Sequence, residues 1–278
     1  MNVTRYESAE AFLEAARPLL MTAEAENNLL IGVAQGIARN PGAAKNPYLA
    51  TVGNNAGVLA CAVHIAPFKL VITAANREPI AALARDVFET IPHVEGVTGP
   101  SRSASDFALA WNKLSGVEPV LGMRLRIHET RTVVDSDLPM PPGHFRQASP
   151  DDAKLLAAWT ELFVADARIP TPVDPSVIVD DAIKRGRLHV WENGVPVSMA
   201  AWAGKTPNGV RINFVYTPPD VRGKGYGTAC VKALTKQQLE QGNAFCWLYT
   251  DMSSAAPPNI FERIGYSPVS DVSEYYLK

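Results

Sequence analysis

The segment from Val210 to Cys230 constrains this chain more than any other. A strand pattern over Val210 to Tyr216 passes through Thr217-Pro218-Pro219 into Arg222-Gly223-Lys224-Gly225-Tyr226-Gly227, and a helical pattern follows over Thr228 to Gln241. Alternate glycines let a backbone turn sharply and approach a ligand without Cβ obstruction. A helix that starts there presents unpaired N–H groups and the positive end of its dipole, which together make an anion site suited to phosphate. Charge agrees with this. Arg211, Arg222, Lys224, Lys232 and Lys236 face only Asp220 between Val210 and Lys236, a local excess of +4 in a chain whose net charge is −2. The spacing is neither that of a nucleotide P-loop nor that of the Gly-x-Gly-x-x-Gly dinucleotide turn. The competing reading is a turn that joins strand to helix and binds nothing.

Around this segment the pattern is mixed. In the first half, Glu7 to Leu20, roughly Ala23 to Arg39, a stretch capped by Asn76 and running to about Thr90, and Ser103 to Leu114 read as helices. Tyr48 to Val52, Gly57 to Ile65, Lys69 to Thr73 and part of Val120 to Val134 read as strands, the first two split at Asn54-Asn55. In the second half, Pro150 to Ala167 (Ser149 or Asp151 near its cap) and Pro175 to Gly186 read as helices. Leu188 to Trp191 and Val195 to Ala203 form a hairpin about Glu192-Asn193-Gly194. Phe245 to Thr250 is a strand, a short helix over Asn259 to Ile264 stops at Gly265, and Val272 to Leu277 is a last strand. The expected class is α/β with a mixed, α+β-like sheet. The order of elements is similar in both halves, although their residues are not.

With 278 residues, 47% hydrophobic and 19% charged, the chain can bury a substantial core. Three prolines and a glycine within Asp135 to His144 mark a linker, giving an expected division into residues 1–134, a joint at 135–144, and residues 145–278. The near-neutral charge argues against a nucleic-acid binder and against attraction to a membrane surface. No run approaches 18 apolar residues, and the N-terminus has no basic-then-apolar signal pattern. Cys61, Cys230 and Cys246 are odd in number and form no Cys-x-x-Cys, so a cytoplasmic protein without disulfides is expected. The five histidines lack metal-ligand spacing, and no metal is expected.

Val215 to Gly227 resembles the acetyl-coenzyme A signature of the GCN5-related N-acetyltransferases (the GNAT superfamily), with Arg222, Gly225 and Gly227 at the motif's Arg, first Gly and last Gly. Leu248 to Asp251 and Phe261 to Tyr266 resemble the strand and helix end that follow it in that family. The resemblance covers about residues 144–278. The first half resembles, more weakly, the degenerate partner domain of tandem members, so two GNAT-like domains in tandem are implied, only the second with the motif. The resemblance further implies acetyl-coenzyme A as cosubstrate. Its pantetheine arm would pair with backbone groups of Val215 and Thr217, in a slot where the strand through Phe214 to Thr217 splays from Phe245 to Thr250. Its diphosphate would rest on amides of Gly223, Lys224, Gly225, Tyr226, Gly227 and Thr228, beside Arg222. The implied reaction is direct attack by a primary amine of a small molecule or peptide, in a ternary complex. One cosubstrate per chain is expected, because Ala74 to Pro79 of the first half has no glycine and carries Glu78.

The family pattern breaks in two places. A Tyr that protonates the leaving thiolate is replaced by Phe261, and the position of a cofactor-contacting Asn is Pro258, with Asn259 one residue later. A thiol of pKa about 8.5 leaves as thiolate without an obligatory acid. A lysine-type amine of pKa about 10.4 is neutral only about once in 2,500 at pH 7, a handicap of roughly 4.6 kcal/mol, against about 1 kcal/mol for an α-amine. A base therefore matters more than the missing acid, and Glu161 and Asp166 on the first helix of the second half are candidates. Trp202 and Phe163 are candidates for lining an acceptor pocket. The alternative to an enzyme is a catalytically weak protein that binds acetyl-coenzyme A as a signal.

Overall fold

The computed structural model describes residues 1–134, 140–167, 173–253 and 259–277, without the side chains of residues 43 and 259. It is a mixed α/β fold of two compact units. The first comprises Met1–Ile127 with Asp251–Ser254 and Val269–Lys278; the second comprises His128–Thr250 with Ala255–Pro268.

The first unit is built from β1 (Asn2–Arg5), α1 (Ala9–Leu20), α2 (Asn28–Arg39), β2 (Tyr48–Asn54), β3 (Gly57–His64), β4 (Leu70–Ile72), α3 (Arg77–Thr90), β5 (Gly96–Pro100) and α4 (Ser101–Ser115). β6 (Val120–Thr130) follows, and the division between units falls within it. Side chains alternate across a strand, and that alternation sorts this sheet into two cores. Leu49, Cys61, Val63 and Val71 pack on one face with Phe12, Ala16 and Leu20 of α1 and Leu30, Ile31, Ala34 and Ile37 of α2. Their neighbours Ala50, Ala62, Leu70 and Ile72 pack on the other face with Ile80, Leu83 and Val87 of α3 and Phe107 and Trp111 of α4. Ser8 caps α1 by accepting the Ala11 N–H at 3.1 Å. Asn76 has extended backbone at the start of α3, but its side chain makes no cap bond there. β1 to β4 are joined antiparallel in sequence order, and β4 runs parallel to β5. This parallel pair is closed at its C-terminal end. A Cβ on Gly99 would stand 2.6 Å from the Ile72 carbonyl oxygen, so only glycine lets β5 run that close.

The second unit contains β7 (His144–Gln147), α5 (Ala153–Asp166), α6 (Pro175–Lys184), β8 (Leu188–Asn193), β9 (Val195–Ala203), β10 (Gly209–Tyr216), α7 (Tyr226–Glu240), β11 (Phe245–Asp251) and α8 (Asn259–Glu262). β7, β8, β9 and β10 pair antiparallel in that order, and β10 pairs parallel with β11. α5 and α6 bury Leu156, Trp159 and Val179 against Leu188, Val190, Met199, Ala201 and Tyr216. The opposite face, with Ala200, Val210, Ile212, Cys246 and Leu248, receives Tyr226, Cys230, Val231 and Leu234 of α7 and Ile264 and Tyr266 after α8. Ser149 and Asp152 form a capping box before α5, so Asp152 and not Asp151 is the capping carboxylate. Arg146 holds that carboxylate at 2.7 and 3.0 Å and also pairs with Glu192.

β12 (Ser267–Tyr276) lies antiparallel to β5, from Val272 opposite Pro100 to Tyr276 opposite Gly96. Residues 269–278 therefore group with the first unit, whereas the sequence reading assigns them to the second half. Lys69 to Glu274 (2.9 Å) and Arg126 to Asp271 (2.6 Å) fasten the strand. The sequence reading also omits β1, β5 and β7. The first is four largely exposed residues, the second carries two glycines and a proline, and the third lies at the end of the proline-rich joint. Residues 135–139 of that joint lie outside the described residues. Among the described residues no helix is long and apolar enough to cross a membrane, and no group of three or more His, Cys, Asp or Glu could hold a metal ion.

Candidate functional site

The site begins where β10 and β11 part. Their register pairs run Gly209 to Phe245, Val210 to Cys246 and Arg211 to Trp247, and then stop, although β10 continues to Tyr216 and β11 to Asp251. At the same level the β9–β10 register shifts between Asn213 and Tyr216, and Phe214 adopts a φ of 49°, rare for a residue with a side chain. A bulge there re-aims the strand. Phe163 of α5 packs against Phe214 with ring centroids 5.4 Å apart, and this contact supports the strained residue from one side.

Beyond Tyr216 the chain makes a 3-10 turn over Pro219–Val221 and reaches the glycines. Gly223 and Gly225 have φ of 79° and 84°, left-handed conformations that favour glycine. Gly225 is the N-cap of α7 and has no side chain with which to cap it. The first intrahelical bond runs from the Ala229 N–H to the Gly225 carbonyl at 2.9 Å, so the amides before Ala229 have no partner inside the helix. Gly227 is needed for a different reason. A Cβ there would meet Thr217 Oγ1 at 3.0 Å.

These amides open into a cavity of about 480 Å³. Of the residues that the sequence reading assigns to the cosubstrate, Thr217, Arg222, Gly223, Lys224, Gly225, Tyr226, Gly227 and Thr228 contribute to its wall, and Val215 does not. Among the described residues the wall has four basic side chains, Arg222, Lys224, Lys232 and Arg263, and no acidic one. The helix dipole and this charge act in the same direction. Lys232 stands one helical turn from Thr228 on the same face. Arg263 and Ile260 come from beyond β11, and Met140 and Pro141 from the joint; no local signal points to any of the four.

The motif's arginine is fixed by the protein itself. Arg222 donates from Nε to the Thr217 carbonyl at 2.8 Å, pairs through a terminal nitrogen with Asp166 at 3.1 Å, and lies 5.5 Å from the Tyr216 ring centre. The Thr217 hydroxyl in turn lies 2.9 Å from that of Ser198, which donates to the Tyr216 carbonyl at 3.0 Å. Val215 is half-buried and packs against the α7 core. Tyr226 is buried, and its hydroxyl accepts from Asn193 at 3.1 Å, so the ring serves the core as well as the cavity wall.

The candidate bases lie apart from the parting of β10 and β11. Glu161 is exposed, about 200° around α5 from Phe163, which faces β10. Asp166 is exposed and engaged by Arg222. Phe261 packs edge-on against Tyr266, with centroids 6.2 Å apart, and has no proton to transfer. Pro258 lies outside the described residues, and the side chain of Asn259 is not described. Trp202 packs with the α7 core and Phe163 with the α5 core, on opposite faces of the sheet, so these two do not line one pocket.

Residues 191–276 match the family model of the FR47-like proteins. No curated protein sequence is similar to the chain. Among solved structures, a GNAT-family acetyltransferase from Colwellia psychrerythraea superposes with a TM-score of 0.58 at 13% identity, over 100% of each chain. A GCN5-related N-acetyltransferase from Sphaerobacter thermophilus gives 0.58 at 17% identity, over 99% of this chain and 94% of the other. One from Kribbella flavida gives 0.55 at 16%, over 90% and 95%.

Proposed function

The chain has the fold of the GCN5-related acetyltransferases along its whole length, and on that premise we propose that it is an acetyl-coenzyme A-dependent N-acetyltransferase, built as two GNAT-like domains in tandem. Its acceptor is a primary amine of a small molecule or peptide. One observation carries the reading: an uncapped helix start and a cavity wall with four basic side chains lie at the end of a strand that has parted from its parallel neighbour. The three buried, unbridged thiols suit a reducing cytoplasm.

The residues present fit the cosubstrate. A diphosphate needs amide donors, positive charge and close backbone approach, and Gly223 to Thr228 with Arg222, Lys224, Lys232 and Arg263 provide all three. When bound, acetyl-coenzyme A supplies an activated acetyl thioester. The parted edge of β10 offers its backbone at Val215 to the pantetheine arm and a polarising N–H to the thioester carbonyl. Thr217 has its carbonyl taken by Arg222, so it contributes mainly as the brace of the turn. The amine nitrogen bonds to the acetyl carbon as the carbon–sulfur bond breaks, losing one proton while the thiol gains one. With Phe261 in place of a hydroxyl donor, the leaving thiolate takes its proton from solvent; with Glu161 and Asp166 apart from the parting, the amine gives its proton to solvent too, which favours acceptors that are partly neutral at pH 7. In the first unit, the closed β4–β5 pair leaves no comparable slot.

The test is calorimetric titration of coenzyme A into the wild type and Gly225→Glu, with thiol release on a panel of amines. We expect binding that the substitution abolishes while the fold is kept, and turnover with some amines. Unchanged affinity in Gly225→Glu overturns the phosphate assignment. The absence of a proton donor at Phe261 favours one second reading, an acetyl-coenzyme A sensor. Tight binding without turnover across the panel would establish it.

A further inference from the structure

The parting of β10 and β11 has a second polar set on the face away from α7. Even positions Val210, Ile212, Cys246 and Leu248 point into the α7 core. Odd positions Arg211, Asn213, Trp247 and Tyr249 therefore point to the other face, the one that α5 and α6 cover farther along the sheet. Arg211 stands opposite Trp247 in the last register pair before the strands separate, and Asn213 stands opposite Ala201. Three polar atoms of this set are sealed from solvent without a hydrogen-bond partner among the described residues: Arg211 Nε, Asn213 Oδ1 and Trp247 Nε1.

A guanidinium nitrogen buried without a partner is costly, and proteins seldom retain one without a counter-charge. Among the described residues no partner is found for the Arg211 Nε, and burial lowers the guanidinium's pKa. The aromatic neighbour Tyr249 faces it. The three orphaned atoms are two donors, one of them cationic, and one acceptor. Two neighbouring donors suit a carboxylate. An acceptor two residues up the strand, toward the parted end, suits an amine N–H about 7 Å away.

We infer that the acceptor is a free amino acid or close analogue, its carboxylate bound by Arg211 and the Trp247 indole N–H and its amine directed by Asn213 toward the slot between β10 and β11. This rests on the acetyltransferase reading for the identity of the reaction; the carboxylate site stands on its own geometry. The probes are N-acetylated amino acids, the products of such a reaction, each as free acid and as carboxamide, because their binding needs no turnover. They are titrated calorimetrically into the wild type and Arg211→Gln, with coenzyme A titrated separately. At least one acid binds, its amide binds about tenfold or more weakly, and Arg211→Gln erases the difference while coenzyme A affinity stays within about twofold. Equal binding of acid and amide, or no acid binding across the common side chains, overturns the inference. Failure of coenzyme A to bind the wild type overturns the acetyltransferase reading and leaves the acid-against-amide comparison intact.

Discussion

Arg222 donates its Nε–H to the carbonyl oxygen of Thr217 across 2.8 Å, so the motif's own arginine ties the end of β10 to the turn that precedes α7. Its charge and its brace are thus one side chain. Arg222→Ala removes both, and coenzyme A affinity should fall about 10- to 100-fold, in the range for a charge-assisted phosphate contact. Arg222→Lys keeps the charge but not the planar fork, and should recover only part of the loss. Calorimetry on the three proteins measures this. Equal affinity in all three would show that the turn holds itself.

Gly225 tests the backbone without introducing charge. Its φ of 84° is left-handed, and among the described residues a Cβ there meets only Pro141, at 3.9 Å. Gly225→Ala should therefore lose about 1–2 kcal/mol of stability from conformation and not from a clash. Urea unfolding checks the value. A loss well above it would mean that the turn has no room to relax.

Asp152 makes part of the stability acid-labile. The Arg146 guanidinium, and then the Ser149 N–H and hydroxyl, bring its pKa down to about 2, from an ordinary 3.8. The stabilisation is complete above the unfolded pKa and is lost as pH falls from about 4 through 2. It amounts to about 2 kcal/mol. Asp152→Asn should flatten the stability profile in that window and leave it unchanged in shape at neutral pH. Denaturant titrations at a series of pH values measure the difference.

Burial controls thiol chemistry throughout. It pushes Cys61 and Cys246 up to about 12 and raises Cys230 further. The native protein should release almost no colour with a thiol-exchange reagent at pH 8, and three equivalents once denaturant is added. A thiol that reacts rapidly in the native protein would mark a local opening of its core.

Much of the second unit was legible because its signals are local. The strand, the glycine turn and α7 follow one another in sequence, and Gly223 and Gly225 make the sharp turn with left-handed backbone. The Glu192-Asn193-Gly194 hairpin and the stop at Gly265, where φ is 108°, are local in the same way. What escaped the sequence depends on distant partners. Arg222 meets Asp166 across 56 positions, so that a candidate base also anchors the arginine of the turn. Arg263 joins the cavity from beyond β11. The Ser101 and Ser273 hydroxyls lie 2.7 Å apart across 172 positions, and no pattern within β12 announces β5 as its neighbour. Arg211 passed as one more basic residue near a phosphate site, because the alternation that turns it from α7 counts only once the strand's cores are known.

The place of β12 beside β5 also sets an order of events during synthesis on the ribosome. Translation finishes residues 1–127 long before it reaches residue 267, so the nascent amino-terminal half emerges with one flank of β5 still bare. Until the later residues leave the exit tunnel, that flank is open to pairing with any extended chain nearby, including another copy on the same messenger.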